Sequence, residues 1–397
     1  MPDRVGHLVS QYLPRSATFI YTVLRFQQGV EPVVLAGYTR NLHEFPHDRV
    51  VELSPPGRSF AARSWPRISA RLRGYGSAIE AGIVREAASA DCRLLHAHFG
   101  WMGIPAIPAA RRLGIPVVTT FYGRDLIEAD AGRDPEPAYR ELFAEGAAFL
   151  CEGPTMAMHL KELGCPPEKV RLVRIGLDLT KFPYAPRRRE QPLIVFQASR
   201  LSEKKGVDLS LRAYAQVRGE LGPSELWIVG GGYLRATLEA LAEELGLGDS
   251  VRFFGSVNHA EYRDLIGRAH IGIQPSRVAS DGDTEGGAPT VLLEMQAIGI
   301  PVVATKHADI PYVVASPDEL AEENDVDGIA ASLARLASCT DSEWDERVRR
   351  GRAQVEKNHD ARSIALQIEA IYAECGVGAP ARRADDAPNH RGTRLRD

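Results

Sequence analysis

At 397 residues, with 25% charged and 44% hydrophobic positions, the chain has the composition of an ordinary globular protein and room for two α/β domains of roughly 180 residues each. A net charge of -4 excludes nucleic acid as its main partner, since binding a phosphate backbone needs an excess of Lys and Arg. No apolar run reaches the roughly 18 residues of a membrane span, and Met1 to Leu13 mixes Asp3, Arg4, His7 and Gln11 into its apolar positions, unlike a secretion signal, so a cytoplasmic protein is expected.

Short β-branched runs alternate with longer helical patterns along the chain, as in parallel sheets built from βαβ units. In the first half, strands are read at Arg4 to Val9, Val33 to Ala36, Leu94 to Ala97 and Pro116 to Phe121. Before the third of these, Arg58 to Arg73 carries five arginines and no acidic residue, with Phe60, Trp65, Ile68 and Leu72 interleaved. That composition suits transient contact with an anionic membrane at the inner face of the cell, and suits equally a solvated element with one half-buried side. His96 and His98 share one face of the third strand, with His98 expected at the cleft and His96 packed inside. The five cysteines, Cys92, Cys151, Cys165, Cys339 and Cys375, form no CxxC pair and read as reduced thiols.

Two prolines and a charge run at Lys181 to Gln191 interrupt every periodic pattern, as a linker does. This divides the chain into an N-terminal domain, 1–183, and a C-terminal domain, 184–376. The second domain reads strand Leu193 to Ala198, helix Val207 to Glu220, strand Glu225 to Val229, helix Tyr233 to Leu245 and strand Val251 to Phe254. It continues with helix His259 to Arg268, strand Ile271 to Gln274, helix Pro289 to Ile298 and strand Pro301 to Ala304. The last helix, Ala361 to Glu374, has apolar Ile364, Leu366, Ile368, Ile371 and Tyr372, and the polar stretch 377–397 reads as a disordered tail.

The densest chemical signal is Thr284 to Thr305 (TEGGAPTVLLEMQAIGIPVVAT). Pro289 suits the first turn of a helix, Gly286 and Gly287 leave its approach unhindered, and the free amides of Thr290 and Val291 with the helix dipole favour a diphosphate. Glu294, one turn further on, can accept hydrogen bonds from a ribose, and Glu285 can do the same for a sugar. Gln197 to Leu209 (QASRLSEKKGVDL) follows the first strand of the second sheet, where open α/β sheets bind ligands. It supplies Arg200 and Lys205, two cations able to hold a leaving diphosphate.

These segments resemble glycosyltransferase family 4. SRLSEKKG, LWIVGGG, VRFFGSV, GIQPS, EGGAPTVLLE and GIPVVAT match its donor-binding half. LVSQYLPRSATFI, LLHAHFG, TFYGRDL and GCPPEKVRLVRIGLDLTKF match the acceptor half of exopolysaccharide and colanic-acid-type members. The resemblance implies the GT-B fold, two doubly wound Rossmann-like domains facing a cleft. It implies a retaining hexosyltransferase that uses a UDP- or GDP-sugar and a glycan or lipid-linked saccharide, without cofactor or metal. It assigns Arg200 and Lys205 to the donor diphosphate, Glu294 to the ribose, Glu285 with Gly286 and Gly287 to the transferred sugar, and Ser256 and Val257 to the nucleobase border.

Three departures stand out. Eight residues separate Glu285 from Glu294 where the family usually has seven, and the extra one falls in the glycine pair. Tyr122 occupies a position where the family often has His; with an ordinary pKa near 10 its role is to orient a sugar hydroxyl. The frequent SETF reads SATF, leaving Ser16 and Thr18 as acceptor-side polar groups beside His98, Tyr122 and Asp125.

Asp281 and Asp283 form a DxD of the kind that holds a metal in another fold, and are not assigned that role. Gly230 to Gly232 make a tight turn, with Arg235 where a dinucleotide fingerprint needs a third glycine. A sugar-nucleotide 2-epimerase on the same scaffold and a non-enzymatic sugar-nucleotide sensor are the alternatives.

Overall fold

The computed structural model describes residues 2–14, 17–53, 76–123, 125–126, 137–186 and 188–378. Ser16, the arginine-rich segment Arg58 to Arg73 and positions 379–397 lie outside the described residues.

Two parallel sheets form the molecule. In the first, β1 (Asp3–Val9), β2 (Val30–Ala36), β3 (Val50–Glu52), β4 (Cys92–His98), β5 (Val117–Thr120), β6 (Ala148–Cys151) and β7 (Val170–Leu172) lie in the order β3-β2-β1-β4-β5-β6-β7. In the second, β8 (Leu193–Ala198), β9 (Ser224–Val229), β10 (Val251–Gly255), β11 (Ile271–Gln274), β12 (Val302–Thr305) and β13 (Leu320–Ala321) take the order β10-β9-β8-β11-β12-β13. Both orders reverse beside the first strand, at β1/β4 and at β8/β11, and such switch points open a crevice at the carboxyl ends of the strands. The central strands are apolar runs because helices cover both faces: Leu193 to Phe196 are at most 7% exposed.

The helices that matter to the site are α1 (Thr18–Phe26), α2 (Gly76–Ser89), α3 (Gly100–Leu113), α4 (Pro137–Glu145) and α5 (Pro154–Glu162) on the first sheet. On the second are α6 (Val207–Leu221), α7 (Arg235–Glu244), α8 (His259–Arg268), α9 (Thr290–Ile298), α10 (Val326–Ser338) and α11 (Asp341–His359). Helix α8 starts at its predicted residue because Asn258 and Glu261 form a capping box. Pro289 caps α9 rather than starting it, since its ψ of 128° is extended. No helix among the described residues is long and apolar enough to cross a membrane.

The last helix, α12 (Ala361–Glu374), lies beyond the linker in sequence yet packs on the first sheet, unlike a plain division at residue 184. Its Ile364, Ile368, Ile371 and Tyr372 join Val5, Leu94, Val118 and Leu150 in one buried cluster. Leu366 is turned away at 53% exposure, because it is out of phase with the 3.6-residue repeat. The Glu369 carboxylate accepts hydrogen bonds from the amides of Gln28 (2.5 Å) and Gly29 (2.8 Å). The ordered chain continues past residue 376: Val377 is buried in this core, and the Gly378 amide bonds Asp3 Oδ2 at 2.9 Å. The chain therefore crosses between lobes twice, and the crossings touch, with Leu177 N bonded to His359 O (2.7 Å) and Ala361 N to Leu177 O (3.1 Å).

Candidate active site

The lobes meet backbone to backbone. Gly286 has φ +75°, and a Cβ there would lie 2.1 Å from Gly123 Cα; one on Gly123 (φ +104°) would lie 2.6 Å from Glu285 O. A Cβ on Gly287 would lie 2.3 Å from Glu152 Oε2 of the first lobe. Gly286 and Gly287 were expected to give free space, and instead are small because the facing lobe fills the space. Asp309 fastens the same boundary, its carboxylate accepting from the Thr155 amide (2.8 Å) at the start of α5.

Behind this contact lies a buried charged pair. Lys205 Nζ is 2.5 Å from Glu285 Oε2, and Ser276 Oγ donates to Glu285 Oε1 at 2.7 Å. Burial pushes the Glu285 carboxyl up, but the Lys205 ammonium and the Ser276 hydroxyl outweigh it and hold it below the usual range. Local geometry explains why Lys205 stands here. Gly206 (φ +59°) passes so close to Pro275 that a Cβ would meet its carbonyl oxygen at 1.9 Å, and Gln197 Nε2 holds Lys205 O at 2.9 Å. Two groups assigned separately in the sequence thus meet across 80 residues.

His307 was not picked out from the sequence. Its buried ring faces Glu323 through Nδ1 (2.6 Å), while Nε2 receives the Thr284 hydroxyl (2.7 Å) and the Glu285 amide (3.2 Å). Accepting at Nε2 fixes the proton on Nδ1, so His307 anchors the Glu285 loop. Asp283 of the DxD is bonded at 2.9 Å to Lys204, and Asp281 accepts from the Asp283 amide. Arg200 is exposed just past the end of β8.

Helix α9 carries no side-chain cap, so the amides of Thr290 and Val291 remain at its positive end. One turn inside, Glu294 is partly buried, receives the Tyr262 hydroxyl, and is pushed up to about 7 by burial against that hydrogen bond. Ser256 is exposed and borders the glycine turn, since a Cβ on Gly231 would lie 2.7 Å from its Oγ; Val257 packs partly into the core.

On the first lobe, Thr18 opens α1 and Tyr122 is partly exposed next to the Gly123 contact. Tyr122 packs on Phe19 and Phe99, with ring centroids 4.5 and 4.9 Å away. His98 is not at the cleft surface: it is fully buried, like His96, and reaches the boundary through Nδ1 bonded to Tyr122 Oη at 2.8 Å. Asp125 is also fully buried. Its carboxylate accepts from the amides of Gly100 (2.8 Å) and Tyr122 (3.1 Å), and burial raises it to about 6, so it braces the loop rather than facing an acceptor.

Comparison with known proteins shows the family and the fold. Residues 25–181 match Glycosyltransferase Family 4, and residues 180–354 match Glycosyl transferases group 1. A glycosyltransferase assigned to colanic acid biosynthesis in Salmonella typhimurium is 31% identical over 281 residues, 69% of each chain. The amylovoran biosynthesis glycosyltransferase of Erwinia amylovora is 33% identical over 245 residues, 60% of each. An Anabaena protein solved with UDP and glucose superposes with a TM-score of 0.71 at 16% identity, covering 94% of this chain and 100% of that one. Sucrose-phosphate synthase of Thermosynechococcus elongatus gives 0.72 at 18% identity, with 94% and 98% covered. The two facing parallel sheets are thus those of the GT-B fold.

Proposed function

The chain belongs to glycosyltransferase family 4, and from that premise we propose that it is a retaining hexosyltransferase acting in exopolysaccharide or cell-surface glycan synthesis. It moves the sugar of a UDP- or GDP-sugar to a glycan or lipid-linked saccharide. The observation that carries this reading is the Lys205–Glu285 pair, set beside the uncapped start of α9 and against the Gly123 contact of the other lobe. A donor diphosphate beside Arg200, Lys205 and the amides of Thr290 and Val291 meets two cations and the positive end of a helix. Glu294 takes the ribose hydroxyls, Ser256 and Val257 border the base, and Glu285 holds the transferred sugar. As the bond from the anomeric carbon to the phosphate oxygen breaks, the acceptor oxygen bonds to that carbon on the same face. Its proton passes to the leaving phosphate, and protein cations offset the charge without a metal.

The names of the polysaccharide-forming relatives and the UDP-glucose complex of the Anabaena neighbour support a donor of this kind. Thermal-shift screening with UDP, GDP and ADP sugars tests it. A true donor at 100 times its dissociation constant stabilises by about 2.7 kcal/mol. No shift with any of them overturns the proposal, and conversion of UDP-GlcNAc without an acceptor would mark an epimerase instead.

A further inference from the structure

Seven polar side chains of the first lobe form a hydrogen-bonded circuit, from Tyr122 round to Thr120, that no step above uses. His7 Nε2 lies 3.0 Å from Gln27 Oε1, so it must donate; His7 Nδ1 then accepts from His98 Nε2 at 3.0 Å. His98 Nδ1 in turn accepts from Tyr122 Oη at 2.8 Å. On the other side, Gln27 Nε2 donates to Tyr372 Oη (3.0 Å), Tyr372 donates to His96 Nδ1 (2.5 Å), and His96 Nε2 donates to Thr120 Oγ1 (2.7 Å). Every nitrogen of the three imidazoles has one partner.

The three histidines also have the proximity of a metal site, with ligand atoms within 4.8 Å. Their orientation opposes that reading. His96 and His98 are stacked at 22° with centroids 4.5 Å apart, and nitrogen lone pairs lie in the ring planes, so these two rings do not converge on one ion, while His7 and His98 meet edge to edge and spend the facing nitrogens on each other. Burial lowers all three well below an ordinary histidine, in keeping with neutral rings. The titratable groups facing the circuit are His47 beside His7, Glu369 and Cys375 beside Tyr372, and Glu152 and Asp125 beside Tyr122.

We propose that this circuit is a positioning frame that keeps the Tyr122 hydroxyl as a hydrogen-bond acceptor toward the cleft, for a hydroxyl of the sugar or of the attacking nucleophile. Tyr122 is the partly exposed member, and the other six are at most 7% exposed. With the Gln27 amide oxygen on His7, the Tyr122 proton goes to His98 and stays inside, and a lone pair is what Tyr122 offers outward. The role rests on the transferase reading; the circuit itself does not.

Histidine 15N NMR of the full chain tests the circuit. His7, His96 and His98 should be neutral from about pH 5.5 to 8 and share one tautomer, all Nε2–H in the sense described. A mixed set, an imidazolium or stoichiometric bound zinc overturns the proposal, whether or not a donor binds. Turnover of UDP-glucose tests the role. Tyr122→Phe and the distant Tyr372→Phe should each lower it about 5-fold, and the double variant should be no worse than Tyr122→Phe alone. Additive losses, or none from Tyr372→Phe, make the circuit mere packing and overturn the role; Thr120→Val serves if Tyr372→Phe does not fold. Weaker binding of UDP-glucose but not of UDP assigns the hydroxyl to the donor sugar, while slower turnover at unchanged affinity assigns it to the nucleophile. If no UDP, GDP or ADP sugar binds and the three tautomers agree, the transferase reading falls and the circuit stands.

Discussion

The two lobes solve the problem of buried polarity in opposite ways. At the carboxyl ends of β8 and β11, Lys205 and Glu285 are buried as charges and satisfied by each other. At the carboxyl ends of β1, β4 and β5, the buried groups are neutral and satisfied in sequence, from Tyr122 through His98 and His7 to Gln27. A charged pair can be redistributed when a phosphate arrives, whereas a neutral circuit fixes direction. On the proposed function, the difference suits a donor side that responds to charge and an acceptor side that aims an oxygen.

Removing one charge should break the donor side most severely. Lys205→Met leaves Glu285 buried without its counter-ion, and should cost about 3–5 kcal/mol by chemical denaturation and lower turnover about 1000-fold. Adding Glu285→Leu should recover much of the stability and none of the turnover; recovery of both would show that the pair is structural only. Gly286→Ala comes next. Its Cβ would overlap Gly123, so the lobes must separate, and turnover should fall about 100-fold while nucleotide binding changes little. Unchanged turnover would place the chemistry away from this contact.

Glu294→Gln should weaken nucleotide binding about 10-fold, measured by calorimetry. The Glu294 carboxyl, raised to about 7 by burial, binds a proton in the folded chain that the unfolded chain has released above about pH 4.3. The free protein should therefore lose stability as pH rises from about 4.5 to about 7 through this group. Nucleotide affinity should rise from about pH 6 to 8, since ribose hydroxyls donate to the ionised form, and Gln should flatten both profiles. Asp281→Asn should change turnover by less than a factor of about two, with or without chelator, and a larger change would reopen the DxD as a metal site.

Much of the frame was legible. Strand Leu193–Ala198 and helices His259–Arg268 and Ala361–Glu374 begin and end where hydrophobic period and caps place them. Glu285 and Lys205 were legible as residue types beyond strand ends, and Glu294 as one turn inside a helix. That Lys205 and Glu285 touch was not, because nothing local encodes a contact over 80 positions. The alternation of His96 and His98 showed one shared face but not its depth, which depends on Tyr372 arriving from a helix that sequence order assigns to the other lobe. The glycine pair was read as freedom because a sequence does not show what stands opposite, and Gly123 stands there.

The side-by-side crossings at Leu177 and Asp360 have a mechanical consequence. A single tether would let the lobes swing and twist in any sense. Two tethers joined by hydrogen bonds act like adjacent pins of one hinge, bending about the line through them and resisting rotation across it. On the proposed function, donor and acceptor would enter, and nucleotide would leave, on the far side of that line. A cut at the linker would separate neither half cleanly, since the lobe before it would lose α12 and with it part of its own core.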